Sequence, residues 1–164
     1  MHRLLIISEY WRPWEQGGGE RSADALASGL VANDWSVTVL TSRHAGAVRQ
    51  EMRKGVRILR RATTGAPNTV LGNLLRRLLF SRSALNALRT LLLTESFDII
   101  HLMNTSTIPL AGAIRKMTDV PVTAHINSAV PFCPKGDRVR YGKECTIRCD
   151  WNSFVLCFVS SKSL

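Results

Sequence analysis

The chain opens on an apolar run, Leu4-Leu5-Ile6-Ile7, which predicts a buried strand over residues 4–8. A loop follows from Glu9 to Gly19. Then Ala23, Leu26, Ala27, Leu30 and Val31 recur at i, i+3, i+4, i+7 and i+8, one apolar stripe that predicts an amphipathic helix from Glu20 to Ala32. Ser36-Val37-Thr38-Val39-Leu40 alternates and is β-branched, as a second strand should be. Thr41 to Gly55 is polar and basic and reads as a linker before a short third strand, Val56 to Leu59. Gly65 and Pro67 break the pattern between Thr63 and Asn68.

Val70 to Leu93 predicts a long helix whose apolar face is Leu71, Leu74, Leu75, Leu78 and Leu79, then Leu85, Leu88 and Leu92. Phe97 to Leu102 is a fourth strand. The Asn104-Thr105-Ser106 turn leads into a helix from Ile108 to Met117, and Pro121 to Ile126 is a fifth strand. Cys133 to Cys149 reads as a polar loop and Trp151 to Val159 as a last helix.

Strands alternating with helices predict an α/β fold, a Rossmann-like, mostly parallel sheet with flanking helices. Ligands of such sheets bind beyond the carboxyl ends of the strands. The Gly17–Gly19 turn, Thr41-Ser42, His101 and His125 all fall there. The turn itself has a physical reason to bind an anion. Three glycines allow close backbone approach, and the first N–H groups of the next helix have no partner inside it. Taken without its neighbours, the same turn reads equally as a flexible connection.

At 164 residues the chain is long enough for one domain with a real core. Its net charge of +10 changes the picture because it is concentrated. Between Arg43 and Arg89 stand eleven basic residues against a single acid, Glu51. No secretory signal or spanning helix is visible in the sequence, so the expected location is the cytoplasm, with peripheral contact at the inner face of a membrane. The glycines do not follow G-x-G-x-x-G, and strand two ends in Leu40-Thr41-Ser42 without a carboxylate, which disfavours NAD. Neither a phosphate-binding G-x-x-x-x-G-K-[ST] loop nor a G-x-S-x-G nucleophile elbow occurs. Cys133, Cys145, Cys149 and Cys157 lie in the last third without a C-x2-C knuckle. No metal is expected. The one weak alternative is a metal or disulfide shared by Cys133, Cys145 and Cys149.

A strand, then E-Y-x-x-P-x-x-x-G-G-G-E-R over 9–21, then a helix running into S-V-T-V-L-T over 36–41, resembles the start of family 4 glycosyltransferases. Phe97-Asp98-Ile99-Ile100-His101, Val120-Pro121-Val122-Thr123-Ala124-His125 and the loop Phe132-Cys133-Pro134-Lys135-Gly136-Asp137-Arg138 continue that resemblance across nearly the whole chain. The resemblance implies one half of a GT-B enzyme: residues 1–164 as the N-terminal, acceptor-side domain, with the donor-binding domain absent. It implies metal-independent, retaining transfer from a UDP-, GDP- or ADP-sugar to a glycan or lipid-linked acceptor, and no cofactor. Gly17, Gly18 and Gly19 would line the diphosphate pocket. His125 would be the catalytic histidine beside the transferred sugar, with Glu20, Arg21, His101 and Asn104 on the acceptor rim. For His125 a strand-end histidine held by a hydrogen bond is the lesser alternative, and for His101 that reading leads. The family's donor half carries two glutamates separated by seven residues; Glu9, Glu15, Glu20, Glu51, Glu95 and Glu144 contain no such pair. The chain is therefore expected to be inactive alone and to need a C-terminal GT-B domain in cis or trans.

The helix 70–93 leaves two readings. It packs its leucines on the sheet with its arginines reaching water, or it lies on an anionic membrane through Arg76, Arg77, Arg82 and Arg89. The second supports a rival to the enzyme reading, a non-catalytic module that binds membrane or a partner protein through residues 43–89. Nucleic acid is not an expected partner, since no recognition motif accompanies the charge.

Overall fold

A computed structural model describes residues 1–15, 17–65, 70–126, 133, 139–140 and 143–146. The chain divides into two compact units, Met1–His125 and Ile126–Leu164. The first contains β1 (Arg3–Ser8), α1 (Gly18–Val31), β2 (Ser36–Ser42), β3 (Gln50–Arg53), β4 (Val56–Ala62), α2 (Val70–Leu92) and β5 (Ile99–Met103). A 3-10 turn (Ile108–Leu110) then leads directly into α3 (Ala111–Arg115), and β6 (Val122–His125) closes the unit.

The sheet runs β3-β4-β2-β1-β5-β6, every pairing parallel except β3 with β4. β1 is buried from Leu4 to Ser8 because it has helices on both faces. Its alternate residues enter different cores. Leu5 and Ile7 join Phe80, Ala84, Leu88 and Leu91 of α2, while Leu4 and Ile6 join Ala23 and Ala27 of α1.

Several boundaries differ from the sequence pattern. The stretch read as a linker contains β3, whose polar sequence gives no local strand signal; it exists by pairing antiparallel with β4. The two are joined by Lys54 and Gly55, both at positive φ (49° and 76°), the signature of a tight hairpin turn that matches the twist of its strands. The helix expected from Ile108 to Met117 is a 3-10 turn plus five α-helical residues. α1 starts at Gly18, two residues early, and its end is turned by Asp34 at φ 62°, so an aspartate takes the left-handed position that glycine usually fills.

The largest difference lies in α2. Its core stripe is Phe80, Ala84, Leu88 and Leu91, of which only Leu88 belonged to the expected face. Leu75, Leu78 and Leu79 remain 50%, 51% and 49% exposed, and the Leu71 and Leu74 side chains lie outside the described ones. In the second unit, β7 (Val139–Arg140) and β8 (Lys143–Glu144) form an antiparallel pair inside the stretch read as a loop. The expected helix at 151–159, Cys149 and Cys157 lie outside the described residues.

Candidate functional site

The order of the sheet fixes where a site can form. From β1 the chain moves to β2 on one side, and it later returns to β5 on the other. The loops leaving the carboxyl ends of β1 and β5 therefore diverge, and the crevice between them is the usual binding place in this architecture. Here the β1 loop delivers Glu9, Tyr10 and the glycine turn, and the β5 end delivers Asn104.

These two loops are tied together by Glu20, only 5% exposed in the first turn of α1. Its carboxylate accepts the Gly17 N–H at 3.0 Å and the Asn104 Nδ2–H at 3.2 Å. Asn104 sits at φ 66°, a conformation that asparagine tolerates better than most residues. Its amide lies 3.3 Å from the Ser8 hydroxyl, which donates to the Tyr10 carbonyl at 2.7 Å. The segment after Asn104 is pinned by Thr107, whose hydroxyl donates to the carbonyls of Met103 and Asn104, each at 2.8 Å.

Beside this tie lies a cleft of about 320 Å³ lined by Glu9, Tyr10, Arg76 and Arg77 as well as Glu20 and Asn104. Arg76 is held over it. Its Nη1 donates to the Tyr10 hydroxyl at 2.6 Å and is 3.4 Å from the Glu9 carboxylate, which also accepts the Thr64 hydroxyl at 2.7 Å. The cleft thus offers two carboxylates, two guanidinium groups, a phenol and an amide. That set suits a polyhydroxylated ligand bearing an anionic group.

Gly17 is extended at φ 179°, and a Cβ placed on Gly17 or Gly18 would meet nothing within 4 Å. The need for glycine there does not come from this unit's own packing. One of the helix-start donors, the Gly17 N–H, is already taken by Glu20. Arg21 is not among the residues lining the cleft and pairs with Glu15 at 3.0 Å, a contact that holds the Glu15 carboxyl below its ordinary pKa.

The two histidines form a separate pair. His101 lies two residues short of the end of β5, with its Nδ1 2.8 Å from the Thr123 hydroxyl and its Nε2 buried without a partner among the described residues. Its ring approaches that of His125 edge-on at 6.5 Å, and His125, the last residue of β6, is exposed. Burial pushes the His101 pKa down, with the neighbouring His125 adding to the shift. Among the described residues no hydrogen bond or ring contact joins this pair to the glycine turn.

Of the four arginines read as membrane candidates, Arg76 is turned into the cleft, while Arg77, Arg82 and Arg89 are exposed. Among the described residues no group of three or more His, Cys, Asp or Glu side chains could hold a metal, and no helix is long and apolar enough to cross a membrane. Sequence reasoning passed over Glu9, Tyr10 and His44. The first two stood in the quoted motif, directly after β1. His44 had no signal, because its stacking on Trp14 (4.8 Å between centroids) joins distant loops.

A six-stranded, mostly parallel sheet with a polar cleft at its order reversal defines a Rossmann-like α/β domain. The sequence matches the family described as glycosyl transferase 4-like domain over residues 17–153, and the chain belongs to that family. It is a glycosyltransferase-like domain of the GT-B type. Among curated proteins none matches. In fold it is similar to sucrose-phosphate synthase from Thermosynechococcus elongatus, at TM-score 0.59 and 16% identity over 80% of this chain and 35% of that one. The chain thus spans about a third of the synthase's length. A second structure of that synthase gives TM-score 0.54 and 14% identity, covering 98% of this chain and 96% of that one. A C-terminal domain of a hydrogenase from Pyrococcus furiosus gives TM-score 0.56 and 21% identity over 76% and 91%.

Proposed function

We propose that this chain is the acceptor-side part of a retaining glycosyltransferase that moves a sugar from a UDP-, GDP- or ADP-sugar to a glycan or lipid-linked acceptor. The observation that carries the reading is the Gly17–Glu20–Asn104 tie at the sheet's order reversal, in a chain of this family. In this reading Gly17, Gly18 and Gly19 line the donor diphosphate pocket, with open backbone at Gly17 and Gly18. The negative charge that grows as the sugar departs is stabilised by backbone N–H groups and by Arg76 and Arg77. Glu20 and Asn104 orient acceptor hydroxyls in the neighbouring cleft. His125 stands beside the transferred sugar, with His101 setting its ring edge. The half-exposed Leu75, Leu78 and Leu79, next to Arg77 and Arg82, favour a membrane-facing role for the first half of α2, which would bring a lipid-linked acceptor to the cleft.

The donor-side groups come from a GT-B partner domain, in cis or trans. The test is a transfer assay with a panel of UDP-, GDP- and ADP-sugars, run on the chain alone and with the protein supplying the donor-side domain. Transfer is expected only in the mixture and should fall about 100-fold in His125→Ala, the scale of losing a positioned proton-transfer group. Full transfer by the chain alone, or an unaffected His125→Ala mixture, would overturn the corresponding part of the reading.

A further inference from the structure

We infer that a second, anion-selective site lies outside the cleft, in the groove between β4 and the far half of α2, and that it takes a phosphate-bearing ligand. The groove has a volume of about 510 Å³, within the roughly 300–1,000 Å³ of small-molecule sites. Arg43, Arg49 and Arg61 line one wall, and Ser83, Asn86 and Thr90 line the other.

Three observations converge on this groove. First, the helix wall carries polar residues at helical spacing: Ser83, Asn86 and Thr90 recur at i, i+3 and i+7 around the apolar Ala87, beside the core stripe of Ala84, Leu88 and Leu91. The Ser83 hydroxyl accepts the Thr63 N–H at 2.8 Å and the Thr90 hydroxyl donates to the Asn86 carbonyl at 3.1 Å. These two therefore offer a ligand their remaining oxygen lone pairs, and the donor on this wall is the Asn86 amide.

Second, the three arginines have no carboxylate partner among the described residues. Glu51 is spent on Arg60, Glu9 on Arg76, and Glu95 on Arg3 and Arg57. Arg43 donates one N–H to the Arg60 carbonyl at 3.3 Å, and the rest of its guanidinium remains available. Among the described residues no acid lines the groove.

Third, Arg61 is placed there by an irregularity of the sheet. Thr41 faces Arg60 and Ser42 faces Ala62, so Arg61 is the extra residue of a β-bulge. A bulge re-aims the side chain it carries. Its neighbour Arg60 is 1% exposed and paired, whereas Arg61 is exposed at the groove.

Three guanidinium groups converging without a counter-charge repel one another, and a phosphate dianion relieves this by accepting several charge-assisted, fork-shaped hydrogen bonds. The groove's size exceeds a bare phosphate, so the matching ligand is a phosphate ester, either a soluble sugar or glycerol phosphate or the headgroup of an anionic lipid.

Calorimetric titration of the full chain with glycerol 3-phosphate and inorganic phosphate tests the soluble source. Flotation with phosphatidylglycerol-containing vesicles, against phosphatidylcholine alone, tests the lipid source. Arg49→Gln and Arg61→Gln should each weaken binding about tenfold, the scale of one charge-assisted contact, while Arg115→Gln on α3 should leave it unchanged. Thermal melts verify folding. Should Arg61→Gln disturb the bulge, Arg49→Gln, whose side chain is exposed ahead of β3, carries the result. Soluble-ester binding lost in these variants assigns a phosphorylated small molecule, and vesicle binding alone, lost in the same variants, assigns a headgroup. Absence of binding in both arms, or equal weakening by Arg115→Gln, overturns the site.

Discussion

Removing the Glu20 carboxylate should loosen the candidate site before it affects any other part of the sheet. Glu20→Ala deletes the acceptor for two donors on different loops, the Gly17 N–H and the Asn104 amide. A hydrogen bond to a charged group contributes about 1.5–3 kcal/mol when its partner is left behind, and the favourable placement of an acid in the first helical turn adds roughly 0.3–1 kcal/mol. Water reaches both donors once the side chain is gone, which recovers part of that loss. We therefore expect about 2–3 kcal/mol for the substitution, equivalent to roughly 4–12 °C in Tm for a protein of this size.

Asn104 supplies the internal control. Asn104→Gly and Asn104→Ala both lose the hydrogen bond, but alanine must hold a Cβ at φ 66° while glycine need not. Alanine should be the more destabilising of the two by about 1 kcal/mol. Urea unfolding followed by tryptophan fluorescence gives each value, and a double-mutant cycle of Glu20→Gln with Asn104→Gly should show a coupling of about 0.5–3 kcal/mol. Additive effects would refute the claim that Glu20 joins the loops, and Asn104→Ala no worse than Asn104→Gly would refute the backbone argument.

On α2, Phe80→Ala should cost about 3–5 kcal/mol, because the ring is fully buried, whereas Leu78→Ser should change stability by under about 0.5 kcal/mol yet weaken vesicle flotation. The glycines should separate in the same way. Gly55→Ala should destabilise by more than about 1 kcal/mol in urea unfolding, since φ is 76° and the new Cβ would lie 2.6 Å from Val31 Cγ1, while Gly17→Ala should fold normally and impair donor binding by calorimetry. His101 has its pKa depressed by burial, so the unfolded chain binds its proton more readily and stability should fall as pH drops below 6.5 toward the folded value. Tm measured across that window should decline less in His101→Gln than in the parent.

What the sequence could and could not tell follows from where each signal resides. β1 and β2 were legible because their own residues are apolar or alternating, and a buried parallel strand must be. β3 was not, since Gln50-Glu51-Met52-Arg53 has no hydrophobic face and becomes a strand only by pairing with β4. In α2, the leucine pattern was right for Leu88 in the core and for Leu85 and Leu92 packed against it. It also took in Leu75, Leu78 and Leu79, which stay half-exposed, and it passed over Phe80 and Ala84, which the core takes where the sheet presents Leu5, Leu40 and Leu59. The glycine turn was readable as a local pattern. Its partner Asn104 lies 84 residues from Glu20, and nothing in either segment names the other. Arg43, Arg49 and Arg61 were visible as charge, but only the bulge and the helix stripe turn them into one wall.

The antiparallel β3 also has a bearing on how the molecule coexists with copies of itself. A parallel sheet that ended at β4 would offer seven residues of unpaired backbone to any passing strand. Instead its border is a four-residue segment with Glu51 and Arg53 on it and a tight Lys54-Gly55 reversal at one end. A foreign strand finds few ladder bonds to make and charges to desolvate. The stretch with no hydrophobic signature thus blunts this edge of the sheet against pairing with a neighbouring copy.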